Sequence, residues 1–164
     1  MIAKLTLASA LLSPFAVAIA AQALPTAPYL PLNLATKAAQ AAVDTCAKQG
    51  HNVSVAIVGR DGETKVLLKA DNSGPHTGNS AQGKAFTSAA MGRDTAGLAG
   101  FIANNPANDG LRSMDSRMVI QGGGLPIRIG DALVGGIGVG GAPSGDIDAE
   151  CATAGLKAIG AVTE

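Results

Sequence analysis

The 164-residue chain reads as an α+β sandwich, a mostly antiparallel sheet flanked by helices. Three observations predict this. Stretches with alternating β-branched residues come in pairs joined by short turns, as hairpins do. Helical patterns stand at both ends of the array and once in its middle. No strand–helix–strand alternation of the parallel-sheet kind runs along the chain.

The elements follow in order. Leu24 to Leu32, L-P-T-A-P-Y-L-P-L, is an extended arm punctuated by proline. Asn33 is a candidate N-cap for a helix from Leu34 to Gln49, with Leu34, Ala38, Ala41, Ala42 and Cys46 as its apolar stripe and Gly50 as its stop. Val53 to Val58 reads as a strand, Arg60-Asp61-Gly62-Glu63 as a hairpin turn and Thr64 to Lys69 as the returning strand. The loop Asp71 to Gly78 leads into a helix from Asn79 to Met91. Asp94 or Thr95 caps a shorter helical stretch through Leu98 and Phe101, and Ala103 to Gly110 reads as loop. Met118–Ile120, Pro126–Ile129 and Ala132–Val139 are the remaining three strands, and Ile147 to Ala161 is the last helix.

Ahead of these elements lies a different kind of segment. Lys4 precedes an apolar run, Leu5 to Ala21, that ends in the small-x-small triplets Ala18-Ile19-Ala20 and Ala21-Gln22-Ala23. Residues 1–23 therefore read as a cleaved signal peptide, with 24–164 as a single domain and no membrane span after cleavage. The expected location is exported, periplasmic or extracellular. Formal net charge is zero and no basic block occurs, which argues against nucleic acid as a partner. Aromatic residues are only 2% of the chain while glycine numbers 22, so the core must be built from small side chains, with self-association into a homo-oligomer as a further means of burial. Cys46 and Cys151 are an even pair in an exported chain: a disulfide, or two small buried thiols on separate helices.

The chemical motifs are mostly negative. Gly136-Ile137-Gly138-Val139-Gly140-Gly141 satisfies G-x-G-x-x-G, but only one helix follows, with no second strand for the ribose-binding acid. The glycines instead leave one face of a strand bare, for a helix, a neighbouring subunit or a flat cofactor to approach. Gly78 to Ala85 fits G-x-x-x-x-G-K but has Ala85 where a P-loop needs Ser or Thr, so Lys84 is expected at a pocket mouth or surface. No nucleophile elbow or zinc motif occurs. What remains is His76 in the loop Gly74-Pro75-His76-Thr77-Gly78, held by proline before a helix N-terminus, where an imidazole can ligate haem iron and the helix can favour a propionate. His51, beside Gly50, reads as structural or solvated.

Taken together, V-S-V-A-I-V-G-R-D-G, G-P-H-T-G-N-S-A-Q-G-K-A-F-T-S-A, G-G-G-L-P-I and G-G-I-G-V-G-G-A-P-S-G-D-I-D-A-E-C-A-T-A-G-L-K-A resemble the GlcG/HbpS-like family, also described as haem-degrading domains, from about Leu32 to Ile159. The resemblance implies a profilin/roadblock-like five-stranded antiparallel sheet flanked by N- and C-terminal helices and a central helical segment. It also implies higher oligomers and haem binding linked to haem capture or redox sensing. Under it His76 becomes the expected iron ligand, with Thr77, Lys84 and His51 as further cofactor-binding candidates. Gly59 and Gly140 stand where family members often carry Asp and Ser, so chemistry carried by those two positions does not transfer. The alternatives are an enzyme acting on haem or a small organic acid, with Lys84 binding a carboxylate and Asp61 or Asp131 as general base, and a non-catalytic assembly module.

Overall fold

The computed structural model describes residues 23–163. The segment read as a signal peptide lies, but for Ala23, outside the described residues. Helix α1 spans Leu32–Lys48, strands β1 and β2 span Ser54–Gly59 and Thr64–Lys69, α2 spans Thr77–Met91, and α3 spans Thr95–Asn104. A 3₁₀ helix follows over Pro106–Ser113, then β3 (Gly124–Ile129), β4 (Ala132–Gly140) and α4 (Gly145–Ala158). The sheet is antiparallel throughout, in the order β2-β1-β4-β3.

Helices α1 and α4 cover one face. The spacing of Ala35, Ala38, Ala39, Ala42 and Cys46 puts small buried side chains on one side of α1. They pack on Val55 and Ile57 of β1 and on Ile137 and Val139 of β4. A disulfide between Cys46 and Cys151 ties α1 to α4 beneath that layer, with Cα atoms 5.6 Å apart. Gly155 lets the two helices close: a Cβ there would stand 2.6 Å from the Ala38 carbonyl oxygen.

The opposite face is built another way. Here α2 lies on Gly136, Gly138 and Gly140, and a Cβ at Gly136 or Gly138 would strike the backbone oxygen of Ala85 or Ala81. Ala81, Ala85 and Ala89 face Ala56 and Val58 in a second, smaller core. Of the three occupants open to the bare glycine face, a helix takes it.

Four strands are found among the described residues rather than five. Met118–Ile120 is not a strand because Val119 is bound to α2: its amide donates to the Gly83 carbonyl at 3.4 Å and to Thr87 Oγ1 at 3.0 Å. Its side chain also sits in the notch that Gly83 leaves open. The first helix starts two residues before the expected Leu34, since Pro31, not Asn33, is its N-cap and the Ala35 amide already donates to the Pro31 carbonyl at 3.1 Å. The central helix starts at Thr77, not Asn79, because the Thr77 amide and hydroxyl both close a turn onto the Gly74 carbonyl, at 3.2 and 2.8 Å. Ala103 to Gly110 is partly helical, with Pro106 opening the 3₁₀ turn. The last helix ends at Ala158, short of Ala161, where Gly160 turns at φ 68°.

Candidate functional site

Both candidate histidines fall at the end of the sheet opposite the two hairpin turns. The loop before α2 is held by Lys69 of edge strand β2. Its ammonium donates to the Ser73 carbonyl at 2.9 Å, to Ser73 Oγ at 2.7 Å and to the Gly74 carbonyl at 2.7 Å. Ser54, at the start of β1, shares a buried 2.8 Å hydrogen bond with Thr77 Oγ1. The backbone around Pro75 and His76 is therefore fixed from two strands. His76 itself is exposed, and its imidazole makes no hydrogen bond among the described residues. The ring lies so close over Gly74 that a Cβ there would stand 2.8 Å from its Cε1 atom. Leu67, 42% exposed, reaches Gly78 in the first turn of α2.

Thr77 and Lys84 do not share this exposure. Thr77 is buried and its hydroxyl is committed to Ser54 and to the Gly74 carbonyl. Lys84, expected at a pocket mouth or surface, is 2% exposed and points inward. Its Nζ donates to Asp148 Oδ2 at 2.8 Å and to the Val139 carbonyl at 3.0 Å. The correction has a clear cause. The inner face of α2 is pressed onto β4, so a lysine there needs an internal counter-charge, and α4 supplies it. Asp148 Oδ1 also accepts from the Ala142 amide at 3.1 Å, which fixes the turn between β4 and α4. Gly123, at φ +112°, makes room for the pair, since a Cβ there would stand 2.6 Å from Asp148 Cβ.

Burial pushes the Asp148 carboxyl up from its ordinary value, against the opposing hydrogen bond and charge of Lys84, the Ala142 amide and the charge of His51. His51 follows α1, with its amide on the Cys46 carbonyl at 3.0 Å and its side chain half-buried. An exposed ion pair behaves in the opposite sense. Arg117 donates to Asp115 at 2.7 Å, and that hydrogen bond outweighs the desolvation opposing it and holds the Asp115 carboxyl at about 2.

The general-base candidates lie elsewhere. Asp61 and Asp131 occupy the β1–β2 and β3–β4 turns, both exposed, and the Asp61 carboxylate accepts from the Glu63 amide. Gly59 pairs with Gly135 at that end, whereas Lys84 meets the chain at Val139. Four residues of strand separate them, roughly 13 Å. Lys84 therefore shares no site with either carboxylate. No cluster of three or more metal-ligating side chains occurs among the described residues, and no helix there is long and apolar enough to cross a membrane.

Asp148 is the partner of Lys84 that sequence reasoning missed. An acid in the first turn of a helix reads as a complement to the helix dipole, and nothing in its spacing points to a lysine 64 residues away.

Comparison with known proteins places this geometry. The family described as "Haem degrading protein HbpS-like" matches residues 30–157. No curated protein matches the sequence. Among solved structures, a double mutant of Streptomyces reticuli HbpS is 42% identical, with a TM-score of 0.78 over 88% of this chain and 97% of that one. PduOC, solved as a haem complex, is 27% identical with a TM-score of 0.77, covering 84% of this chain and 99% of that one. Klebsiella pneumoniae ORFY, at 20% identity and a TM-score of 0.78 over 89% of this chain and 100% of its own, shares the fold.

Proposed function

The chain belongs to the HbpS-like family, and on that premise we propose that it is an exported, oligomeric haem-binding protein that sequesters haem or takes part in redox sensing. The observation that carries the reading is His76: an exposed imidazole without a hydrogen bond, on a loop that Lys69 and Ser54 hold in place. PduOC, of the same fold, is a haem-binding relative. The residues fit the group. His76 offers an imidazole nitrogen for iron, Leu67 against the first turn of α2 offers apolar surface, and that turn, which no side chain caps, offers backbone amides to a propionate. Haem bound there supplies an iron centre for capture or electron transfer.

The inward-facing Lys84 and the buried Thr77 act at one remove, by holding the end of the sheet on which His76 stands. The reading stops at binding, since the carboxylates that could serve turnover lie at the far turns.

Two further observations support export and assembly. A disulfide persists in oxidising compartments, which agrees with the signal-like first residues. Tyr29, Leu32, Phe101 and Met114 are 40–69% exposed, apolar surface that self-association would cover.

The test is a hemin titration followed by absorbance. The protein should give a Soret band that His76→Ala weakens at least tenfold in affinity (about 1.4 kcal/mol), while the fold, read by circular dichroism, is unchanged. A Soret band of equal affinity in His76→Ala removes the ligand assignment, and no spectral change with hemin at any accessible concentration removes the function.

A further inference from the structure

We propose a second ligand site, for a small apolar carboxylate, in a cleft along the β3 edge of the sheet. The cleft has a volume of about 370 Å³ and lies between β3 and α4, closed by the α2–α3 link and by Val162 and Thr163. That size falls near the lower end of small-molecule pockets, roughly 300–1,000 Å³. Leu125, Pro126, Leu156 and Val162 give it an apolar lining.

Among the described residues its lining carries two cations, Arg93 and Arg128, against one carboxylate, Asp94. Neither arginine forms an ion pair with a described residue. Arg128 is oriented by its Nη2 donating to the Gly92 carbonyl at 3.1 Å. The carboxylate that borders the cleft, Asp94, is engaged in capping α3 through the Gly97 amide. A planar guanidinium with unused donors beside apolar surface is the arrangement that recognises a carboxylate on a hydrophobic body.

The backbone of β3 argues for a small molecule over an extended peptide. Three of its outward groups are already used or missing: the Gly124 amide donates to Thr95 Oγ1 at 2.9 Å, the Arg128 carbonyl accepts from the Val162 amide at 3.0 Å, and Pro126 between them has no N–H. An incoming strand would find only a broken ladder.

This site is independent of the haem reading. It sits at the C-terminal end of α2 and the β3 edge, while His76 stands at the N-terminal end beside β2. The 15 residues of α2 separate the two by roughly 22 Å along its axis.

The experiment uses benzoate as probe and benzamide as its neutral counterpart, followed by amide chemical shifts in ¹⁵N-labelled protein. Benzoate should shift the Gly92 and Val162 amides saturably, at least tenfold more tightly than benzamide. Arg128→Met should weaken benzoate at least tenfold. Arg93→Gln, an exposed change that spares the fold, should weaken it several-fold. Equal binding of benzoate and benzamide, or no saturable shift at these amides, overturns the site. Haem sets the other arm. If hemin displaces benzoate even from His76→Ala protein, the cleft holds a haem propionate and the separate ligand is lost. If benzoate still binds with hemin saturating, the site stands whether or not His76 is the iron ligand.

Discussion

The two faces of the sheet are closed by opposite means. On the α1/α4 face, valine and isoleucine side chains from β1 and β4 meet alanines, and a disulfide ties the covering helices together. On the α2 face the strand gives up its side chains, and helix backbone rests on strand backbone at Gly136 and Gly138. The first face is cohesive through area removed from water. The second is cohesive through closeness, and its tolerance is correspondingly narrow: a side-chain core can repack, but a backbone contact has nothing to move.

The largest effect should come from attacking the glycine face. Gly138→Val places atoms where the backbone of α2 already lies, and a loss on the order of 5 kcal/mol is expected. Far-ultraviolet circular dichroism and a denaturant midpoint would show it, and a variant as stable as the parent would mean that α2 can lift away. Removing the staple from the other face should cost somewhat less. Cys46→Ala with Cys151→Ala opens a crosslink spanning 105 residues, worth about 4–5 kcal/mol in the chain-entropy model, and should lower the midpoint without loss of α2 contacts.

The smallest effect concerns pH. Asp148 binds its proton more tightly folded than unfolded, so its contribution to stability is fully present below the unfolded value of about 3.8 and is lost as pH rises through the raised value. Asp115, held at about 2, contributes in the reverse direction, present above about 3.8 and lost as pH falls toward 2. Asp148→Asn leaves Lys84 without its counter-charge, so the midpoint should drop at every pH, and the part of the fall in stability with rising pH that comes from the Asp148 titration should vanish, as read from midpoints across pH. An unchanged profile there would show that Lys84 fully compensates the carboxylate.

The same contrast explains what the sequence could tell. β1, β2 and β4 were legible because alternation and a hairpin turn depend on neighbours in the chain. Met118–Ile120 misled because its β-branched residues serve α2: Val119 fills the Gly83 notch, a purpose invisible in local pattern. The glycines of β4 announced that something must come close, but not that it would be a helix. Lys84 was misplaced for a related reason. Lysine belongs at a surface unless a counter-charge meets it inside, and that counter-charge comes from the far end of the chain. His76 was legible in kind because proline and glycine mark a rigid loop, whereas the Lys69 bonds that hold it are not written in the loop itself.

The sheet ends in two open strands, and neither invites addition. Edge strand β2 carries Lys65 and Lys69, and Lys65 is folded over the Tyr29 ring with its ammonium 3.8 Å from the ring centre. The other edge has Pro126 where a donor is needed. Charge at one border and a missing N–H at the other are the devices by which sheets avoid runaway fibril growth. Where many copies crowd together, contacts would then be made by side-chain surfaces, with the strand borders left facing water.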